Sequence, residues 1–170
     1  MKTGLTPLAL AAFVVLATLT GCGTTVTNEP RSTSRHAADA TEALSGGIRG
    51  LIGVKGKASD SGPGVQECSG KDRDTYFRIF HKWSFYPASA SDLDAAMRHL
   101  KDGMPEHGWK IVEYGPDTSR NKNLTLVADN DEQKAGVHIT QMKKRNPPKL
   151  SLMVVSGCYR VPEGQKVEHF

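Results

Sequence analysis

The residues of this chain with the most versatile chemistry are its three cysteines, Cys22, Cys68 and Cys158. A thiol can ligate a metal, act as a nucleophile, carry a lipid or pair in a disulfide. No two of the three form a CxxC pair and no histidine flanks them, which argues against a metal or redox site. We therefore predict no metal, no cofactor and no catalytic cysteine.

The segment before Cys22 has the composition of an export signal. Lys2 gives its start a positive charge, and the run from Leu8 to Leu19 contains no charged residue. A helix that spans a bilayer needs about 20 apolar residues, so this shorter run is typical of a signal peptide. The alternative is a buried helix of a cytosolic domain, which fits poorly with the polar stretch that follows.

The residues Leu19–Cys22, "LTGC", resemble the lipobox of bacterial lipoproteins. The resemblance implies cleavage after Gly21 and attachment of diacylglyceryl to the Cys22 thiol. Two acyl chains would anchor the protein firmly, since each buried methylene contributes about 0.8 kcal/mol. An ordinary secreted protein cleaved nearby is the alternative. The expected domains are a lipoprotein signal peptide (1–21), a lipidated flexible tether (22–36) and a single α+β domain (37–170).

The net charge of the predicted mature chain is only slightly positive. With Lys2 removed, 21 basic residues face 18 acidic ones, a net charge of about +3. This charge is too small to predict nucleic acid as a partner. The location that we expect is the extracytoplasmic face of the cell membrane.

Hydrophobic periodicity predicts an α+β domain. We expect a mainly antiparallel five-stranded sheet with one or two helices packed on one face, because the linkers between the later strands are too short for parallel crossovers. Ser91 is the expected cap of the second helix, with Asp94 three residues later. The predicted helices are Ala37–Ile52 and a segment from Ser91 to Met104, and the predicted strands are Asp74–Tyr86, Trp109–Tyr114, Asn123–Ala128, Gly136–Met142 and Leu150–Cys158.

If Cys22 carries lipid, Cys68 and Cys158 remain as a pair. Exported domains favour disulfides, and Cys158 shares strand parity with buried leucines of the last predicted strand. We therefore predict a structural disulfide between Cys68 and Cys158.

Three segments could carry other chemistry. His81 lies on the apolar face of the first predicted strand, where packing is the expected role in the absence of a partner. Ser59–Pro63, "SDSGP", is superficially similar to the serine region of trypsin-like proteases, but the chain is too short for that fold. Asp129–Lys134 lacks the glycine that a calcium loop requires, and we predict a hairpin turn there.

The most distinct surface feature is the basic stretch "KKRNPPK", Lys143–Lys149. A charged hairpin tip is the simplest interpretation. The functional interpretation is contact with anionic lipid headgroups or wall polymers. Its candidate residues are Lys143, Lys144, Arg145 and Lys149.

The order of features in the mature chain resembles small, mostly uncharacterised lipoproteins of actinomycetes. The shared features are the lipobox, a polar spacer, a short helix ending in a cysteine, a strand, a helix closed by Gly108 and Trp109, and a last strand ending in Ser156–Cys158. The resemblance implies a location at the cell surface and supplies no catalytic residue.

We therefore expect a non-enzymatic, lipid-anchored binding or interaction module, with the membrane, anionic envelope polymers or another envelope protein as partners. One alternative is a carrier of a hydrophobic ligand, which predicts a cavity lined by Phe77, Trp83, Met97 and Leu100. The other is an envelope hydrolase, which predicts a cleft where acidic residues and a histidine converge.

Overall fold

The computed structural model describes residues 29–170, so the predictions for the signal peptide, Cys22 and the first part of the tether lie outside the described residues. The described part contains two α-helices, one 3-10 helix and eight strands. In chain order they are α1 (Ser34–Leu51), β1 (Gly56–Ala58), β2 (Gly64–Glu67), β3 (Tyr76–Pro87), α2 (Asp92–Gly103), the 3-10 helix (Met104–His107), β4 (Lys110–Pro116), β5 (Leu124–Asn130), β6 (Ala135–Met142), β7 (Lys149–Ser156) and β8 (Tyr159–Arg160).

Helix α1 starts at Ser34, before the predicted Ala37. Thr33 caps it, because its side chain accepts a hydrogen bond from the His36 backbone N–H over 3.2 Å. No Glu or Gln stands three residues after Thr33, so the capping box that marks a helix start in a sequence is missing. Neither α1 nor α2 has the length and apolar composition that crossing a membrane requires.

The residues just before α1 pack against the domain, although the sequence predicts them as tether. The Ser32 N–H donates to the Arg160 carbonyl over 3.0 Å, and the Arg160 N–H donates to the Pro30 carbonyl over 3.0 Å. Glu29 forms an ion pair with Lys71. The folded part therefore includes residues 29–36. The composition of residues 29–36 does not predict this packing, because the backbone hydrogen bonds depend on β8, a strand too short to be recognised in the sequence.

Strand β3 confirms the predicted alternation. Its buried residues are the odd ones, Phe77, Ile79, His81, Trp83 and Phe85. These side chains face the helices, and the even positions form the other face of the sheet. The main core lies between this face and the helices, and it includes Ile48 of α1 and Leu93, Met97 and Leu100 of α2.

The sheet is antiparallel, as predicted, but it has eight strands instead of five. The strand order is β1-β3-β7-β6-β5-β4, with β2 and β8 also paired to β3. The three additional strands are β1, β2 and β8, which contain three, four and two residues. Segments this short show no hydrophobic period, so they form only because β3 offers a template.

Two glycines let the additional strands approach β3. A Cβ on Gly56 would lie 2.4 Å from the Tyr86 carbonyl oxygen, and a Cβ on Gly64 would lie 2.7 Å from the Phe80 ring. Glycine in a strand often marks such a close approach. Tight strand pairing therefore requires glycine at positions 56 and 64.

The predicted disulfide between Cys68 and Cys158 is present. The two Cα atoms are 6.1 Å apart, within the usual range, and the bond closes a separation of 90 residues. Strand β7 ends at Ser156, however, so Cys158 lies in the short connection to β8 and not in the strand predicted to run through it. The pairing is correct, but the strand parity used to support it is wrong.

We expect the double variant Cys68→Ser/Cys158→Ser to lose about 2–5 kcal/mol of unfolding free energy, because the open chain regains the entropy that the closed loop removes. Urea denaturation followed by circular dichroism measures this loss. Cys22→Ser is the matched control and should keep the wild-type midpoint. Equal midpoints for the double variant and the control would contradict the structural role of the bond.

Candidate functional site

The candidate site is a small pocket at the edge of the sheet, which we call the edge pocket. It has a volume of about 170 Å³. Pockets for drug-sized ligands are usually about 300–1,000 Å³, so the edge pocket fits only a small molecule or one end of a larger one. It is lined by Glu42, Ser45, Gly46 and Arg49 of α1, by residues 58–61, and by His81 and Trp83 of β3.

The pocket exists because the edge of β3 is paired in two separate pieces. Strand β1 covers the end of β3 near Phe85, and β2 covers residues 77–80. Between them, the chain leaves the ladder and opens a gap opposite His81 and Trp83. The segment Ser59–Pro63, "SDSGP", occupies this gap.

Hydrogen bonds hold that segment against β3. The Ser59 N–H donates to the Ser84 carbonyl over 2.8 Å, and the Ser59 hydroxyl accepts from the Ser84 N–H over 2.9 Å. The Ser61 hydroxyl donates to the Lys82 carbonyl over 2.9 Å. These bonds fix the segment Ser59–Pro63, which we call the bulge, as one wall of the pocket.

His81 has one ring nitrogen occupied and one without a partner. Its Nε2 lies 2.6 Å from the Ser61 carbonyl oxygen. A carbonyl only accepts, so Nε2 carries the hydrogen, and Nδ1 of the neutral ring is an acceptor. His81 is 7% exposed, and its Nδ1 is buried with no hydrogen-bond partner among the described residues.

Two further polar groups at the pocket share this property. The indole N–H of Trp83, a residue 5% exposed, and the hydroxyl of Ser45, a residue 2% exposed, are buried, and neither has a partner within residues 29–170. Each of the three atoms has less than 1 Å² of accessible surface, and the residues that carry them line the pocket; we call these three atoms the floor groups. An unpaired buried polar group costs about 1–3 kcal/mol.

Charged side chains surround the mouth of the pocket. Glu42 and Arg49 are exposed on α1, and Asp60 is exposed on the bulge. In the described part of the chain, no three His, Cys, Asp or Glu side chains are placed to hold a metal ion together. The arrangement suits hydrogen bonding to a small polar molecule.

Sequence reasoning missed this site. It placed His81 on the buried face correctly but assigned it a packing role, and it treated "SDSGP" only as a comparison with proteases. No short motif links Ser45, Asp60 and His81, which come from three distant segments. The apolar face of β3 did carry a signal, since a histidine stands among large hydrophobic residues there.

The four residues proposed for a hydrophobic carrier are divided between two hydrophobic clusters. Phe77 is fully buried in a smaller cluster with Ile79 and Val161. Met97 and Leu100 are fully buried in the main core. Trp83 belongs to the same main core and also lines the edge pocket.

The basic residues do not form one continuous patch. Lys143 pairs with Asp94 of α2, with Nζ 2.6 Å from Oδ1 and 2.8 Å from Oδ2. The Lys149 Nζ donates to the Ser84 hydroxyl over 3.0 Å on the opposite face of the sheet. Lys144 and Arg145 are exposed at the turn between β6 and β7. The contact predicted with anionic polymers therefore depends most on Lys144 and Arg145, because Lys143 is exposed but paired with Asp94.

The predicted capping box of Ser91 and Asp94 does not form at the start of α2. Ser91 has helical backbone angles and makes no side-chain capping bond. The hydrogen bond from Lys143, followed by that from Gln141, holds the pKa of the Asp94 carboxyl below its ordinary value. Asp94 thus joins α2 to the end of β6. The predicted hairpin turn lies at residues 131–134, because Asp129 and Asn130 still belong to β5, and the Asn130 side chain accepts from the Gln133 N–H over 2.9 Å.

Comparison of the chain with protein-family models, with curated proteins and with solved structures finds no match.

We expect Ser45→Ala to raise the unfolding free energy by about 1 kcal/mol, because it removes a buried hydroxyl that has no partner. Thr41→Ala is the matched control on the same helix, since the Thr41 hydroxyl donates to the Ala37 carbonyl over 2.9 Å. This control should lower the unfolding free energy by about 1 kcal/mol or more. Urea denaturation of both variants measures the difference, and a loss of similar size in both would show that the Ser45 hydroxyl is satisfied.

Proposed function

We propose that this protein is a lipid-anchored, extracytoplasmic lipoprotein that binds a small polar molecule in the edge pocket without transforming it. The observation that carries the binding proposal is the set of three unpaired polar groups, from Ser45, His81 and Trp83, at one pocket. Buried polar groups are nearly always paired in native proteins. A ligand that pairs with them would explain why the chain keeps them there.

The anchor is proposed from the signal-like segment and from the likeness of "LTGC" to a lipobox. Seven residues of chain lead from Cys22 to Glu29, and they could reach at most about 25 Å. Since Glu29 pairs with Lys71, the anchor would hold the start of β3 close to the bilayer. The disulfide lies at this same end of the molecule, because Glu67 and Tyr159 both pair with Phe77.

The basic turn lies at the other end. Arg160 pairs with Tyr76 at the start of β3, and Leu150, next to the turn, pairs with Phe85 near its end. Strand β3 has 12 residues and is therefore about 40 Å long. This distance supports anionic envelope polymers or another envelope protein, in preference to the anchoring membrane, as the partner of Lys144 and Arg145.

An envelope hydrolase is the second candidate, and one observation favours it. Glu42, Asp60 and His81 line the same pocket, the convergence that this alternative predicts. A catalytic histidine is usually oriented by a carboxylate, whereas a carbonyl holds His81. This difference supports binding as the first proposal.

We expect Cys22→Ser to release the protein from membranes into the soluble fraction while the domain stays folded, because only the attachment of lipid is lost. Fractionation of cells with immunoblotting measures the release, and circular dichroism of the purified variant measures the fold. Wild-type protein is the control. Retention of the variant in membranes would contradict the lipid anchor.

We expect small polar molecules to shift the indole N–H resonance of Trp83 in the 1H–15N spectrum and to leave that of Trp109 unchanged. Trp109 does not line the edge pocket but lines a separate pocket beside α1, so it is the internal control and its shift would report binding at that other pocket. The probe is a mixture of neutral polyols, carboxylates and amines. Absence of any selective shift of Trp83 would contradict the binding proposal, and turnover of a component would favour the hydrolase.

A further inference from the structure

We propose that the ligand of the edge pocket is a neutral polyhydroxyl compound, a polyol or a saccharide end. This inference rests on the proposed binding function and names its chemical class. It follows from the hydrogen-bonding types of the buried groups, from the distribution of charge around the pocket and from the pocket's size.

The floor of the pocket requires a ligand that both donates and accepts. His81 Nδ1 accepts, the Trp83 indole N–H donates, and the Ser45 hydroxyl can do either. A carboxylate has no hydrogen to offer His81, and an ammonium group has no lone pair for Trp83. Two neighbouring hydroxyl groups match the whole set, since each can donate to one group and accept from another.

The distribution of charge supports a neutral ligand. No carboxylate, ammonium or guanidinium group is among the floor groups, whereas Glu42, Arg49 and Asp60 are exposed at the mouth. Burying an ionised group without a charged partner costs far more than burying a hydroxyl. A neutral hydroxyl pair would therefore lie deepest, and the outer hydroxyls of the same molecule could bond to the charged side chains.

The size of the pocket limits what enters. A volume of about 170 Å³ suits a short polyol or a single sugar ring. The remaining rings of a longer saccharide would extend through the mouth of the pocket into solvent. The floor atoms have less than 1 Å² of accessible surface, so binding must open the floor slightly. This opening should change the environment of the Trp83 indole.

The test compares neutral with charged probes by titration of the full domain. Glycerol, glucose and N-acetylglucosamine are the neutral probes, and acetate, methylammonium and glycine are the charged ones. The readouts are the Trp83 indole shift, referenced to Trp109, and calorimetry in a buffer free of polyols. We expect at least one neutral probe to bind saturably and to move only Trp83.

Substitutions of residues that line the edge pocket test whether the neutral probe binds there. Ser45→Ala and Trp83→Phe should each weaken the neutral probe about threefold to tenfold, the loss expected for one hydrogen bond. His138→Asn, at an exposed position of β6, is the matched control and should bind like the wild type. Calorimetry reports on Trp83→Phe, which lacks the indole signal.

Each outcome decides a separate question. If only charged probes shift Trp83, the ligand class is wrong and the binding function stands. If no probe of either kind shifts Trp83, the inference and the proposed binding function both fail. If the neutral probes bind equally well to wild type, Ser45→Ala and Trp83→Phe, they bind elsewhere and the inference is overturned.

Discussion

Pairing of strand β3 along both of its edges is the interaction on which the rest of the structure depends. Its 12 residues hydrogen-bond to β1 and β2 on one side and to β7 and β8 on the other. One face of the strand supplies Trp83 and Phe85 to the main core and Phe77 and Ile79 to the smaller one. The short strands could not form without it, because they contribute few contacts of their own.

The same pairing explains why a pocket forms. An exposed strand edge can recruit other chains, and proteins commonly cover or interrupt such edges. Here the edge is covered in two pieces, and the bulge between them is held by serine hydrogen bonds. At this gap the middle of β3 faces α1. His81 and Trp83, from the buried face of the strand, therefore lie beside polar side chains of the helix. Stability lost through unpaired polar groups there is offset by the disulfide and the packed core.

The molecule also has two distinct ends along β3. The first end gathers the start of the described chain, the disulfide and β8 around Tyr76. The other end carries the basic turn near Phe85. A force on the proposed lipid anchor would act first on the end near Tyr76, where the disulfide joins two segments of the chain covalently. The edge pocket lies between the two ends, which would leave it accessible in an anchored protein.

Elements with a local sequence signal could be predicted before the structure was known. The alternation of β3, the amphipathic second helix and the antiparallel run from β4 to β7 follow from hydrophobic periods and short linkers. The Cys68–Cys158 pair is predicted on the hypothesis that Cys22 carries lipid, and the disulfide itself is present. Tertiary structure alone decided β1, β2, β8 and the edge pocket. The short strands carry no period and need β3 as a template, and the pocket joins Ser45, Asp60 and His81, whose neighbourhood depends on where the sheet edge is interrupted and not on any spacing along the chain.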